Sequence, residues 1–149
     1  MSMDAKLIEH MMNPKNYGEL KNSDTQGMGK NPDNGEKVVV YMHIGTDEEV
    51  PYVENIHFQA IGCTTTIVAG SMLTEEAKGL HLQGVYDLVD ATMGFLDKLP
   101  PEEAACSEMV ALAIKAAVDT YKERISDPDY PMITYQIVHS CEPKEEEKI

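Results

Sequence analysis

The sequence predicts an α+β fold: a small antiparallel sheet of about three strands, with helices packed on one face and a site at the sheet end. Two observations carry this. Hydropathy alternates with a period of two over Lys37–Ile44 and again around Asn55–Ala60, the pattern of half-buried strands. Three later runs repeat apolar residues at three- and four-residue steps, the pattern of helices that bury one side.

Asp4 to Met12 reads as a short helix, with Asp4 as its N-cap and Ala5, Ile8, Met11 and Met12 on its apolar side. Asn13-Pro14 stops it, because proline disfavours the helical region for the residue before it. Lys15 to Gly35 carries four glycines and a second Asn-Pro, so it reads as turn-rich, with Met28–Lys30 as a short edge strand. In the first strong strand Val38, Val40, Met42 and Ile44 share one face, and Val39, Tyr41 and His43 the other. An acidic turn, Gly45–Glu49, leads to a second strand in which Ile56, Phe58 and Ala60 alternate with Asn55, His57 and Gln59. The two pair as an antiparallel hairpin.

After Cys63 the period lengthens. Ala69, Met72, Leu73, Ala77 and Leu80 form one helical stripe, stopped by Gly79. Val85, Leu88, Val89, Met93 and Leu96 form a second. Leu99-Pro100-Pro101 breaks the chain and suits a helix start, where proline's missing N–H is not needed. The longest helix follows from about Glu102 to Arg124, with Met109, Val110, Ala113, Ile114, Ala117, Val118 and Tyr121 as its stripe. Ile133, Tyr135 and Ile137 then alternate with Thr134, Gln136 and Val138 in a final short strand. With no internal repeat and no linker, residues 1–126 read as one domain and 127–149 as a C-terminal extension with a short strand and an acidic tail.

At 149 residues the chain is long enough to bury a core without metal or disulfide staples. Its 26 Asp and Glu against 12 Lys and Arg give a formal net charge of −14, a field that repels phosphate backbones and disfavours nucleic acid. No apolar run approaches the ~20 residues needed to span a membrane. The opening Met1–Lys6 has no basic region followed by an apolar core, so a cytoplasmic location is expected. Three widely spaced cysteines with no CxxC pair, Cys63, Cys106 and Cys141, are expected to be thiols rather than a disulfide framework or a zinc ribbon.

Cys63 stands where a strand-like run gives way to a helix-like one, and Cys106 lies in the first turns of the longest helix. A thiol at a helix N-terminus sits in the positive end of the dipole and ionises more readily, which improves it as a nucleophile or metal ligand. The competing reading is a small buried hydrophobe. The turn Asn31-Pro32-Asp33-Asn34-Gly35-Glu36 brings carboxylates to the same end if the hairpin folds as read. His10 reads as packing on the first helix, and His43, His57 and His81 as polar surface residues. His139 is the one histidine with a thiol close in sequence, Cys141. The ten methionines read as flexible core filling, with Met11-Met12 also available as a greasy contact face.

The order of these pieces resembles the IscU/NifU-type iron–sulfur cluster scaffold family. His10-Met11-Met12-Asn13-Pro14-Lys15-Asn16-Tyr17-Gly18 is similar to its opening. Asn31–Glu36 stands where the family has an Asn-Pro-x-Cys-Gly-Asp turn, and Gly62-Cys63 with Ala69-Gly70-Ser71-Met72 where it starts a helix of small residues. Leu99-Pro100-Pro101 leads to Ala105-Cys106-Ser107 where the family has a His-Cys pair, and Ala113–Ala117 with Tyr121-Lys122 resembles its last helix. The likeness runs in order over roughly residues 7 to 124. It implies a scaffold or carrier that binds an iron–sulfur cluster of the two-iron type and takes persulfide sulfur from a cysteine desulfurase. Such a protein passes its load to apo iron–sulfur proteins and is not itself an enzyme.

Of the family's ligand set of three Cys, one Asp and one His, the resemblance leaves Cys63 and Cys106, with Glu36 as the carboxylate and Asp33 beside it. Asn34 replaces the first cysteine and Ala105 the histidine. Glu102-Glu103 follows Leu-Pro-Pro where the family has a basic residue, a departure from what a chaperone reads in some members, and its charge opposes ionisation of Cys106. A two-iron cluster is held by four ligands, mostly thiolates. Three routes could complete a site: Asp33 beside Glu36, in a mixed oxygen and sulfur site suited to zinc or iron(II); Cys141 returned by the last strand; or a homodimer sharing two thiols from each subunit. The alternative function is a degenerate relative that binds zinc or iron(II), or docks partners, without building clusters.

Overall fold

A computed structural model describes Met12 and residues 15–32, 35–61, 64–96 and 101–137, the side chains of residues 64, 65, 96 and 101–103 aside. The helix expected at Asp4–Met12 lies outside this set except for Met12, which is helical. The elements run β1 (Thr25–Lys30), β2 (Lys37–Asp47), β3 (Val50–Ile61), α1 (Thr64–Ala77), α2 (Leu82–Leu96), α3 (Pro101–Ser126) and β4 (Ile133–Gln136).

The α+β architecture is as expected, and the sheet is larger than expected. Four strands stand in the order β3-β2-β1-β4. The β2–β3 hairpin pairs antiparallel from Lys37 with Ile61 to Asp47 with Val50, with a shift at His43/Ile44. β1 is no edge strand: it pairs antiparallel with β2 and parallel with β4, so the sheet is mixed. The expected acidic turn is shorter than Gly45–Glu49, since β2 continues to Asp47 and only Glu48 and Glu49 turn the chain, both at positive φ (52° and 70°). Two-residue hairpin turns with both φ positive favour Asn-Gly, because side-chain sterics penalise this region for other residues. Replacing Glu48-Glu49 by Asn-Gly is therefore expected to stabilise the protein by about 1 kcal/mol, read as a higher midpoint in urea denaturation.

The helices cover one face. Val38, Val40 and Met42 from β2, and Ile56 and Phe58 from β3, are fully buried beneath them. α3 lies along β1 at unusually close range: a Cβ on Gly27 would fall 2.1 Å from the Ala117 nitrogen, and one on Gly29 would fall 2.0 Å from the Met109 oxygen. This approach lets the Thr25 hydroxyl donate to the Ala117 carbonyl at 2.7 Å. α1 seats Gly70 directly over the Phe58 ring, where an added Cβ would sit 2.3 Å from it. The buried residues of α1 are Thr66, Val68, Gly70, Ser71, Thr74 and Ala77, so its inward side is turned from the expected stripe, with Ala69 and Leu73 partly buried at its margin. Small residues permit the contact with Phe58, and the polar ones are bonded: Thr74 donates to the Gly70 carbonyl at 2.7 Å, and Ser71 accepts from the Lys15 N–H at 2.6 Å. Gly79, at φ +89°, ends α1 and donates to the Val53 carbonyl at 2.8 Å.

The other face is partly covered by the chain entering β1. Asn16 to Gly18 bonds along the outer edge of β3, through Phe58 in both directions. The Glu19 carbonyl then lies 3.3 Å from His57 Nδ1 and the Lys21 carbonyl 3.1 Å from His43 Nε2. These histidines serve as outer-face polar contacts, in line with their reading as surface residues.

Candidate metal and cluster site at one end of the sheet

The strand register brings the chain segments of interest to one end. Lys30 at the end of β1 pairs with Lys37 at the start of β2, and Lys37 pairs with Ile61 at the end of β3. The turn that joins β1 to β2 closes on itself there: the Asn31 N–H donates to the Glu36 carbonyl at 2.8 Å, and the Gly35 N–H to the Asn31 carbonyl at 3.0 Å. Gly35 at φ +79° makes this reversal, a conformation open to glycine at little cost. Asn31 is buried and Glu36 half-buried. Asp33 and Asn34 lie outside the described residues.

α3 runs antiparallel to β1, since its residue 117 meets Gly27 and its residue 109 meets Gly29. Its N-terminal turns therefore project toward the same end as the Asn31–Glu36 turn. Cys106 sits there, one turn before Met109 and 7% exposed, beside Ala105 at 6%. Cys63 lies outside the described residues, between the end of β3 at Ile61 and the start of α1 at Thr64. Of the expected site residues, the structure thus places Glu36 and Cys106 on segments that reach one end of the sheet, and the chain on either side of Cys63 arrives at the same end. Among the described residues no three His, Cys, Asp or Glu side chains gather as a metal group.

Ala105 belongs to the hydrophobic core cluster with Met109 and Val110. A histidine at that position would have to enter the core packing that alanine fits. Sequence reasoning missed Glu108, which is fully buried two residues beyond Cys106. The signal available was a single carboxylate inside the otherwise apolar and small run Ala104–Ile114. Burying a carboxylate is costly unless it is bonded, so such an interruption marks a position worth examining.

Fold and site together define a small α+β protein with a thiol and a carboxylate at the sheet end where α1 and α3 start. The sequence matches the NifU-like N terminal domain family over residues 2–127. It is 32% identical over 117 residues to iron–sulfur cluster assembly scaffold protein IscU 1 of Archaeoglobus fulgidus, covering 78% of this chain and 74% of that one. It is 32% identical over 127 residues to the IscU scaffold of Haemophilus influenzae, covering 83% and 98%. The structure of a nitrogen-fixing NifU-like protein (N-terminal) from Brucella abortus superposes with a TM-score of 0.63 at 16% identity, over 80% of this chain and 93% of that one, a likeness of fold. The chain belongs to the NifU/IscU family of iron–sulfur cluster assembly scaffolds. Among the described residues, no helix is long and apolar enough to cross a membrane.

Proposed function

We propose that this chain is an iron–sulfur cluster assembly scaffold or carrier that works in the cytoplasm. Iron is held by Cys63, Cys106 and Glu36, with Asp33 as a further oxygen donor. Sulfur arrives as the terminal sulfur of a cysteine desulfurase's persulfide. It passes to the thiolate of Cys63 or Cys106, and the donor cysteine leaves as a thiolate, so the transfer itself needs no oxidant. An external two-electron donor reduces each sulfane sulfur to the sulfide of the cluster, which then moves to apo iron–sulfur proteins; the protein binds and transfers without turnover of its own.

One observation carries this reading: the strand register and the direction of α3 bring Glu36, Cys106 and both flanks of Cys63 to the same end of the sheet. Thiolates suit iron–sulfide chemistry because they are soft and neutralise ferric charge. A second reading is favoured by Asn34 and by the core-packed Ala105, which leave a thin ligand set: a relative that binds zinc or iron(II), or docks partners, without building clusters.

Anaerobic reconstitution with iron and sulfide separates the two. A scaffold gives the visible sulfur-to-iron charge-transfer absorption, and Cys63→Ser or Cys106→Ser is expected to abolish it while leaving the far-UV circular dichroism unchanged. A protein that stays colourless, with zinc or no metal by elemental analysis, supports the second reading.

A further inference from the structure

We propose that the sheet face turned away from the helices, where β1 and β2 meet the Asn31–Glu36 turn, docks an acidic segment of a partner protein. Lys30 and Lys37 take its carboxylates, and the apolar side chains beside them take an apolar residue of the same segment. The strand register sets these residues together. Lys30 of β1 stands directly opposite Lys37 of β2, and one step along the same face Met28 stands opposite Val39. Ile61 of β3 flanks Lys37 and Gln136 of β4 flanks Lys30, which makes one row across all four strands. Alternation assigns the face. Gly29 and Val38, between the two pairs, are buried toward the helices, whereas Met28, Lys30, Lys37 and Val39 are half-buried and Gln136 is exposed. Ile61 is 62% exposed. Among the described residues, the chain entering β1 crosses this face only at His57 and His43, farther along the strands.

The charges point to the partner. Cross-strand neighbours have Cβ atoms ~4.5–5.5 Å apart, and like charges placed so are destabilising. Among the described residues neither lysine enters an ion pair, in a chain with 26 Asp and Glu against 12 Lys and Arg. A carboxylate seated between the two ammonium groups removes the repulsion and adds charge-assisted hydrogen bonds.

The spacing fixes the rest. Residues i and i+2 of an extended segment lie ~6.6 Å apart on one face, the same step that separates Lys30 from Met28 and Lys37 from Val39. An acidic residue over the lysine pair therefore brings the residue two positions away over Met28 and Val39, where an apolar side chain leaves water. A bare phosphate would use the cations alone. A nucleic acid would bring a charge at every nucleotide into the field of a net −14, with no apolar side chain to offset it. An acidic segment with an apolar residue at the second position uses both features.

The test uses the full chain, isotope-labelled for NMR, and the peptide acetyl-Glu-Glu-Ser-Leu-Glu-Glu-Ser-Leu-amide. Its addition is expected to shift the amide resonances of Met28, Lys30, Lys37 and Val39 and to leave those of α2 in place. Lys30→Glu and Lys37→Glu are each expected to weaken binding by at least about tenfold, since each sets a like charge against the peptide. Each reversal also pairs opposite charges across β1 and β2, so the midpoint in urea is expected to rise while binding falls. Glutamine in place of every glutamate of the peptide, or serine in place of its leucines, is expected to reduce binding as well. The assignment is overturned by absence of binding, by affinity unchanged in both variants, or by shifts confined to the surroundings of Lys115 and Lys122 on α3. Tighter capture of a single-stranded oligodeoxynucleotide than of the peptide also overturns it, and each of these results leaves the proposed function standing.

Discussion

Gly29→Ala is expected to destabilise the protein by about 3 kcal/mol, among the largest effects available to a single methyl group here. The added Cβ would stand 2.0 Å from the Met109 carbonyl oxygen and 2.9 Å from its carbon. Both are backbone atoms of α3, so no side chain can rotate away to relieve the overlap. The helix must lift from β1 or the strand must bow from its partners, and either change loosens the contact along which Thr25 bonds to Ala117. Gly94→Ala makes the matching control. It too lies in a regular element, α2, but a Cβ there meets nothing within 4 Å. That change should stabilise the protein by ~0.5–1 kcal/mol, because alanine loses less backbone freedom in a helix. Thermal unfolding followed at 222 nm reads both, with a fall on the order of 10 °C for the first and a small rise for the second. Equal small changes in the two would mean that the β1–α3 approach is softer than the geometry indicates. Because Met109 is one turn from Cys106, Gly29→Ala should also displace the helix end that carries the thiol.

Gly27 and Gly29 of β1 explain what was legible in the sequence and what was not. β2, β3 and α3 were legible because their burial is carried by large apolar side chains at the proper period: Val38, Val40 and Met42 on one strand, Met109, Val110, Ala113 and Ile114 on the helix. β1 reads Thr-Gln-Gly-Met-Gly-Lys, and its inward positions are Thr25, Gly27 and Gly29. Absence of side chains is what lets the helix lie against it, and absence leaves no hydropathy signal. α1 was misphased for a related reason. Its inward side is made of glycine, serine and threonine that fit over Phe58, while larger residues such as Leu73 sit at the margin. For the site, sequence order identified the segments that hold Glu36 and Cys106, and strand register accounts for their common end. Nothing local to β4 announced that it would pair parallel with β1, since strand direction is fixed by the return path over α3 and not by the four residues of the strand.

Asp119→Asn is expected to cost about 2 kcal/mol at neutral pH, to remove the acid slope of the stability curve and to reduce the alkaline one. Asp119 on α3 accepts from Tyr86 of α2 at 2.5 Å and from Tyr135 of β4, and Lys115 Nζ lies 3.2 Å from its Oδ2. Lys122 lies over the Tyr86 ring at 4.4 Å, closing the cluster. Burial pushes the Asp119 carboxyl up, but the bonds from Tyr135, Tyr86 and Lys115 outweigh it and hold the group below the usual carboxylate range. Its contribution is present above the unfolded value of ~3.9 and is lost as pH falls through the lower folded value. Tyr135 behaves in the opposite sense: burial, then the bond to Asp119 and its negative charge, push the phenol up to about 12. That contribution is complete below ~10, the unfolded tyrosine value, and is lost as pH rises through about 12. Burial and the same carboxylate raise Tyr86 as well. Unfolding free energies measured across pH should therefore fall at both extremes for the parent chain, and the Asn variant should lack the acid loss below ~4 and show a smaller alkaline loss above ~10, the part due to burial of the two tyrosines remaining. Hydrogen exchange locates the damage. Tyr135 is the side chain through which Asp119 holds β4, so the amide of Ile137, bonded to Lys30, should exchange faster in the variant by a larger factor than the β2–β3 amides. A uniform acceleration would instead mean that Asp119 stabilises the whole fold and has no particular grip on β4.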